Sequence, residues 1–61
     1  MSIFKTKWYI VDLVSRRVDT RRTYRSFSVA IETAREDGHK GRFTAMRGSH
    51  LLEKAGRPWI I

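Results

Sequence analysis

The feature that most constrains the fold is a short run, Trp8 to Val14, that is apolar on both of its alternating faces. One face carries Tyr9, Val11 and Leu13, and the other carries Trp8, Ile10 and Val14. Aromatic and β-branched residues over this length predict a β-strand, in which Asp12 is the polar exception. A strand with one face in water alternates more cleanly. We therefore expect both faces to be covered, either by the rest of the chain or, on one side, by a second copy of it.

The chain has few means of covering such a strand. It has 61 residues and no cysteine, so we expect a single small domain, and a domain of this size buries only about 60% of its unfolded surface. Disulfides and thiolate zinc sites are excluded, and two histidines are too few for a closed zinc site. We expect no cofactor. No run approaches the ~18 apolar residues that span a bilayer, so we expect a cytoplasmic protein without membrane contact.

The remaining pattern predicts two more strands and a helix. Thr20–Arg25 is the second strand, joined to the first by a longer loop over residues 15–19, and Arg42–Arg47 is the third. The helix covers Phe27–Gly38, with an apolar stripe at three- and four-residue spacing. We expect Ser28 to cap its N-terminus, Phe27 to pack on the next turn and Gly38 to end it.

The C-terminal segment predicts a cover for the sheet. Residues 49–56 begin with a capping candidate, Ser49, and end with glycine, which is typical of one or two helical turns. Trp59-Ile60-Ile61 is expected to fold back over the sheet face that the helix leaves bare. The predicted fold class is α+β: a three-stranded antiparallel sheet in the order β-β-α-β, one helix on one face, and a short irregular or helical C-terminal cover. The same apolar end would also fit a homodimer interface.

Catalysis is not expected. An active site needs a nucleophile with a base and an orienting group, or a metal, in a concave pocket. The carboxylates are scattered, and the glycines are dispersed at element ends without forming a phosphate-binding loop. His39 follows the predicted helix end, where a cation is favourable, and His50 is explained without a catalytic partner. We therefore expect neither an enzyme nor a small-molecule substrate.

The charge distribution indicates the class of partner. The net charge is +7, from thirteen basic and six acidic residues. Within Ser15–Arg25, SRRVDTRRTYR, five of eleven side chains are arginine and only Asp19 opposes them. Arginine presents a planar, permanently charged fork that matches phosphate and carboxylate. Three interpretations stay open: a solvated face, a nucleic-acid interface, or a surface for an acidic protein.

For nucleic acid, the sequence suggests two modes. A basic β-ribbon can enter the DNA major groove, about 12 Å wide. Five phosphate contacts would give a slope of log K against log salt of about −4 to −5. Alternatively, Trp8, Tyr9 and Tyr24 could stack on unpaired bases. The candidate binding residues are the five hairpin arginines: Arg16, Arg17, Arg21, Arg22 and Arg25. Lys5, Lys7 and Arg47 are expected to support them.

Three segments resemble the T7-type phage inhibitors of bacterial RNA polymerase, small proteins made during host takeover. They are Lys7-Trp8-Tyr9, the strand end and alanine-striped helix Tyr24–Ala34, and the glycine-led strand Gly41–Arg47. The resemblance implies a non-catalytic inhibitor that docks on a host enzyme such as RNA polymerase or a nuclease. The resemblance implies a functional role for one arginine of this chain, Arg47, which matches the arginine that follows the third strand in that group. That group has acidic residues near its second strand, where this chain has arginines.

The hairpin and helix also resemble the arm-binding domains of phage integrases and AP2-type DNA-binding domains. The resemblance lies in arginine-rich strands followed by Phe27-Ser28-Val29-Ala30-Ile31. It implies that the sheet, and not the helix, contacts DNA. Those domains place three strands before the helix, whereas two are predicted here. Together the features favour a phage or mobile-element module that binds DNA through its arginine-rich hairpin, with the acidic surface of a host enzyme as the alternative.

Overall fold

A computed structural model describes residues 3–53 and 59–61, and it confirms the predicted α+β fold class. The elements in chain order are strand β1 (Trp8–Asp12), strand β2 (Val18–Tyr24), helix α1 (Phe27–Glu36), strand β3 (Phe43–Arg47) and helix α2 (Gly48–Leu51). The strands form one antiparallel sheet in the order β2-β1-β3. In the part of the chain described, no helix is long and apolar enough to cross a membrane.

The first strand is shorter than predicted because Asp12 turns the chain. Its carboxylate Oδ1 accepts hydrogen bonds from the backbone N–H groups of Val14 at 2.8 Å and Ser15 at 3.0 Å. An aspartate that binds backbone N–H groups two and three residues ahead favours a turn over a strand. The connection is therefore Leu13–Arg17 and not residues 15–19, and β2 begins at Val18.

The pairing of β1 with β2 contains a large bulge. Ile10 pairs with Asp19 and Trp8 pairs with Tyr24, so the four residues 20–23 of β2 lie opposite Tyr9 alone. Asp19 Oδ1 accepts from the N–H of Arg21 at 3.0 Å and bends the strand there. Extra residues in one strand break the ladder and redirect its side chains. The simple alternation of side chains expected along the second strand therefore does not apply to residues 20–23.

Each face of the sheet carries its own core, as the two-sided apolar β1 required. Under α1 the buried residues are Ile10, Ala30, Ala34 and Ala45. On the opposite face they are Tyr9, Val11, Val18 and Leu51, against which Ile3, Met46 and Trp59 pack. The alanines let the helix backbone approach the sheet closely, while the opposite face is filled by larger side chains. The chain thus covers both faces of β1 itself.

The C-terminal tail lies on the face opposite α1, as expected, but of residues 59–61, the part described, only Trp59 packs into the core. Ile60 forms a parallel bridge with Arg17, in which Ile60 O accepts from Val18 N and Ile60 N donates to Arg16 O, both at 2.8 Å. The side chains of Ile60 and Ile61 stay about half exposed. The tail is therefore attached to the start of β2 mainly through its backbone.

The helix α1 is capped by Ser26 and not by Ser28. Ser26 Oγ accepts from the N–H of Val29 at 3.3 Å, three residues ahead, which is the ordinary N-cap geometry. Phe27 stacks edge-to-face on Trp8, with ring centroids 5.9 Å apart, and does not serve as the expected staple within the helix. Gly38 ends the helix as predicted, with a φ of 75° that favours glycine.

The helix α2 is shorter than the predicted helix over residues 49–56, and Ser49 is not its cap. Its first N–H groups bind backbone carbonyls of the N-terminal segment: Gly48 N donates to Lys7 O at 2.8 Å and Ser49 N to Lys5 O at 3.1 Å. No side-chain cap is needed because these carbonyls take its place. A Cβ at Gly48 would collide with the Phe4 carbonyl oxygen, so only glycine fits. The predicted residues 54–56 lie outside the described part.

Candidate nucleic-acid interface

The eight candidate cations are distributed over both ends of the sheet and the bulge of β2, and they do not form one cluster. We call the connection Leu13–Arg17 the hairpin tip, and the opposite end of the sheet, where Trp8 pairs with both Tyr24 and Arg47, the closed end. The hairpin tip holds two of the candidates, the bulge of β2 holds two more, and four surround the closed end. In that order they are Arg16 and Arg17; Arg21 and Arg22; and Lys5, Lys7, Arg25 and Arg47.

The hairpin tip is held in one conformation by hydrogen bonds. Besides the Asp12 carboxylate contacts, Asp12 N donates to Arg17 O at 2.9 Å, and Arg17 N donates to Ser15 Oγ at 3.3 Å. Arg16 has a φ of 63°, the left-handed region that costs a non-glycine residue about 1–2 kcal/mol. Its guanidinium carbon lies 6.0 Å from the ring centre of Trp59. Both arginine side chains are exposed.

The Asp12 carboxylate is committed to shaping this turn. Backbone hydrogen bonds from Ser15 and Val14 lower the pKa of Asp12 below its ordinary value of 3.8. A carboxylate whose charged form accepts two N–H groups stays ionised at neutral pH. In residues 3–53 and 59–61, no carboxylate forms an ion pair with Arg16 or Arg17. The guanidinium groups of the hairpin tip are therefore available to an external anion.

The bulge arginines each have a carboxylate partner. Arg21 Nε lies 3.2 Å from Asp19 Oδ1, and a second contact joins Arg21 to Asp19 Oδ2. This hydrogen bond lowers the pKa of Asp19. Arg22 reaches the end of α1, where its Nη1 lies 2.6 Å from Asp37 Oδ2. The Arg21 side chain is 86% exposed, and exposed pairs of this kind contribute little to stability. A phosphate that contacts Arg21 or Arg22 nevertheless has to displace a carboxylate first.

The closed end combines cations with packing. Arg47 lies next to Trp8 in the register, on the face that α1 covers, and Arg25 follows Tyr24. The carbonyls of Lys5 and Lys7 hold α2, while both lysine side chains are exposed. One strand of five residues, about 13 Å, separates this end from the hairpin tip. An anion that meets both the hairpin tip and the closed-end cations Lys5, Lys7, Arg25 and Arg47 must therefore span that distance.

Base stacking on Tyr9 is excluded by burial. Tyr9 is only 1% exposed, and its hydroxyl accepts a hydrogen bond from Phe4 N at 2.8 Å. Trp8 and Tyr24 are partly buried against the α1 core. Arg22 lies over the Tyr24 ring, with its guanidinium carbon 5.5 Å from the ring centre. Of the three aromatic residues proposed from the sequence, Tyr9 belongs to the core, and the other two support the α1 face.

Arg42 was missed by sequence reasoning. Its carbonyl accepts from the N–H of Leu13 at 3.0 Å, which places Arg42 beside the hairpin tip on the β3 side. The signal is the register: Phe43 pairs with Asp12, so the preceding residue must lie next to Leu13. Three arginines, Arg16, Arg17 and Arg42, therefore surround the hairpin tip.

A cleft of about 370 Å³ opens where the bulge separates β2 from β1. Its lining includes Ile10 and the polar side chains of Asp12, Arg17, Asp19, Arg21 and His39. Asp12 is occupied by backbone N–H groups and Asp19 by Arg21, so these carboxylates are already satisfied. Within the described ranges, no group of three histidine, cysteine, aspartate or glutamate side chains could hold a metal ion. The geometry of this cleft does not point to a ligand.

No protein-family model, curated protein or solved structure matches this chain.

Proposed function

We propose that this protein is a non-catalytic DNA-binding module, encoded by a phage or mobile element, that contacts phosphates through β2 and the hairpin tip. One observation supports the proposal above the others. β2 is an edge strand, and the residues on and beside it carry five arginines, of which the two at the hairpin tip have no carboxylate partner in the described residues. A row of guanidinium groups along an outer edge is accessible to a long anionic polymer.

The two-sided core changes the mode of contact that the sequence suggested. Because β1 is the central strand and both sheet faces are covered, β1 and β2 do not form a free ribbon for the major groove. The sheet face opposite α1, which the AP2-type resemblance would use, holds Tyr9, Val11 and Trp59. The proposal therefore places DNA against the β2 edge, with contacts to the sugar–phosphate backbone and little sequence preference.

The salt dependence of binding follows from the ion pairs. If Arg16, Arg17 and Arg25 meet phosphates while Arg21 and Arg22 keep their carboxylates, three contacts give a slope of log K against log salt of about −3. If all five were free, the slope would be about −4 to −5. We expect the lower value.

The test is a fluorescence anisotropy titration of the protein against labelled duplex, single-stranded DNA and polyglutamate. It is repeated at salt concentrations from about 50 to 300 mM, a range that includes the physiological one. The proposal expects saturable duplex binding with the slope given above and weaker binding of polyglutamate. Equal binding of all three polymers would instead show a general polycation.

Arg17→Ala and Arg35→Ala form a matched pair of variants. Each removes one exposed arginine, but Arg35 belongs to the last turn of α1 and not to β2 or the hairpin tip. Each phosphate contact steepens the slope of log K against log salt by about 0.9. One contact therefore raises the affinity about eightfold when the salt concentration falls from about 1 M to 0.1 M. We expect Arg17→Ala to lose about eightfold and Arg35→Ala to change little. Equal losses would show that only net charge matters.

The second candidate is an inhibitor that docks the same cations on an acidic surface of a host enzyme, such as RNA polymerase or a nuclease. Exposed apolar side chains among the arginines, Leu13 and Val14 at the hairpin tip, favour it, because protein interfaces combine an apolar centre with a charged rim. Saturable binding to one purified host enzyme, with duplex DNA inert in the titration, would select this function and overturn the first.

A further inference from the structure

The hairpin tip exposes two large apolar side chains that the fold does not use. Val14 is 74% exposed and Leu13 is 42% exposed, although both continue the apolar run of β1. Neither belongs to the core on either face of the sheet. Exposed apolar residues are common singly, but these are adjacent and project beyond the last paired residue of β1, Asp12.

The turn that carries them is preorganised. Asp12 Oδ1 holds the N–H groups of Val14 and Ser15, and the Leu13 N–H is held by the Arg42 carbonyl. Ile60 fixes the backbone on the other side of the turn at Arg16 and Val18. Because these bonds already order the backbone, insertion of the turn into a partner costs little further conformational entropy.

The charges around the turn indicate what it would enter. Arg16 and Arg17 lie on the β2 side of Leu13 and Val14, and Arg42 lies on the β3 side. The one carboxylate within the turn, Asp12, is occupied by N–H groups. Apolar side chains flanked by cations on both sides are complementary to a DNA duplex, in which the apolar base step lies between two phosphate backbones. Proteins that insert apolar side chains between base steps do so from the minor groove and kink the DNA by about 20–90°.

We propose that the hairpin tip is a wedge: Val14, supported by Leu13, inserts between two base pairs from the minor groove while the flanking arginines bind phosphates on both strands. This inference rests on the proposed function and adds a specific deformation of the DNA to it. Unstacking one step costs free energy, so a site that is already unstacked binds better. The preference is for flexible or damaged steps and not for a base sequence.

The experiment measures binding and bending separately. A duplex of about 30 base pairs, labelled at both ends, reports bending by energy transfer, and anisotropy reports affinity; a second duplex carries a central mismatch. We expect the protein to shorten the end-to-end distance and to bind the mismatched duplex about tenfold more tightly than the intact one.

The matched variants are Val14→Thr and Leu52→Thr. Threonine keeps the β-branched shape of Val14 but adds a hydroxyl, and Leu52 is another exposed apolar residue, beyond α2. Val14→Thr should retain the salt slope yet lose the bending and the preference for the mismatch, whereas Leu52→Thr should keep both. Thermal melts of each variant check that the fold is intact.

The outcomes separate the two proposals. Duplex binding without bending, or with bending unchanged in folded Val14→Thr, overturns the wedge and leaves the DNA-binding function standing. Absence of duplex binding overturns both. Equal effects of Val14→Thr and Leu52→Thr would mean that general surface hydrophobicity, and not insertion of the hairpin tip, controls binding, and would also overturn the wedge.

Discussion

The two ends of the sheet use similar residues for opposite purposes. At the closed end, cations lie among packed groups: Trp8 stacks on Phe27, and Gly48 admits the Phe4 carbonyl where no side chain fits. At the hairpin tip, Val14 and the arginines face outward on a turn held by Asp12. The comparison teaches that arginine density does not locate a binding site. What distinguishes the ends is the apolar side chains: Trp8 and Phe27 pack on each other at the closed end, whereas Leu13 and Val14 at the hairpin tip are exposed.

The largest effect is expected from adding a side chain at Gly48, at the closed end. Gly48→Ala places a Cβ against the Phe4 backbone, so α2 and the N-terminal segment must separate. Overpacking costs typically 1–3 kcal/mol, and we expect about 3 kcal/mol because the collision is with backbone. A domain whose core supplies about 3–5 kcal/mol would then keep about 0–2 kcal/mol, so that up to about half of the molecules would be unfolded. Urea denaturation followed by tryptophan fluorescence measures this change.

Ser49→Ala is the control for that variant, since Ser49 is adjacent and exposed. It should leave the denaturation midpoint nearly unchanged. A Gly48→Ala protein as stable as the parent would show that α2 does not depend on this close approach. Close packing would then not distinguish the closed end from the hairpin tip.

The next effect is on binding and concerns the hairpin tip. Arg16→Gly removes a cation at a position whose φ of 63° favours glycine. Stability should therefore change by less than about 1 kcal/mol, while duplex affinity at 0.1 M salt falls about eightfold. Arg16→Asn, which also tolerates this backbone conformation, should give the same result. A large loss of stability in both would mean that the contact with Trp59 matters more than the strain.

These two ends also show how far sequence reasoning reaches. The order of elements along the chain, the alanine-striped helix and the double core follow from local patterns: β-branched residues around Val11, small residues at Ala30 and Ala34, and an apolar tail. Such patterns are set by neighbours along the chain, so they can be recognised without coordinates.

The features that could not be predicted depend on register or on competition between equivalent side chains. The bulge exists because Asp19 binds the Arg21 amide, and Arg42 reaches the hairpin tip because Phe43 pairs with Asp12. Ser26 and Ser28 are both acceptable caps, and only the helix start decides between them. The sequence therefore could not show which candidate arginines have carboxylate partners, as Arg21 and Arg22 do, or that Arg47 lies on β3 and not on β2.

A smaller effect is expected of acid on the stability of the fold, and it tests whether Asp12 holds the hairpin tip. The folded-state pKa of Asp12 is lowered by the Ser15 and Val14 N–H groups, and that of Asp19 by Arg21. A lowered folded pKa stabilises the fold above the ordinary value of 3.8, and this stabilisation is lost as pH falls through the lower folded value. Melting temperature should therefore decrease below about pH 4.

Asp12→Asn tests the origin of this pH dependence. The variant should have a lower melting temperature than the parent at pH 7 and a weaker decrease between pH 4 and 2, because one of the two carboxylates no longer titrates. If the parent and the variant lose stability in parallel on acidification, Asp12 does not contribute to the transition. The outward shape of the hairpin tip would then have another cause.

The smallest effect is expected between the two ends, in the bulge. Asp19→Asn with Asp37→Asn frees Arg21 and Arg22 from exposed pairs that contribute little to stability. Duplex affinity at about 0.1 M salt should rise about threefold, and the salt slope should steepen by about 0.5. Glu32→Gln with Glu36→Gln, on α1, makes the same change in net charge without freeing either arginine. An equal gain in that control would show that the pairs do not restrain binding.

The bridge between Ile60 and β2 has a consequence for how the molecule opens. The Val18 amide is bonded to the Ile60 carbonyl, across 42 positions of chain, and not to its partner in β1. Its hydrogen–deuterium exchange rate therefore reports release of the C-terminal residues, whereas the amides between β1 and β3 report global unfolding. Comparing the two rates would measure how often the tail detaches while the sheet stays intact.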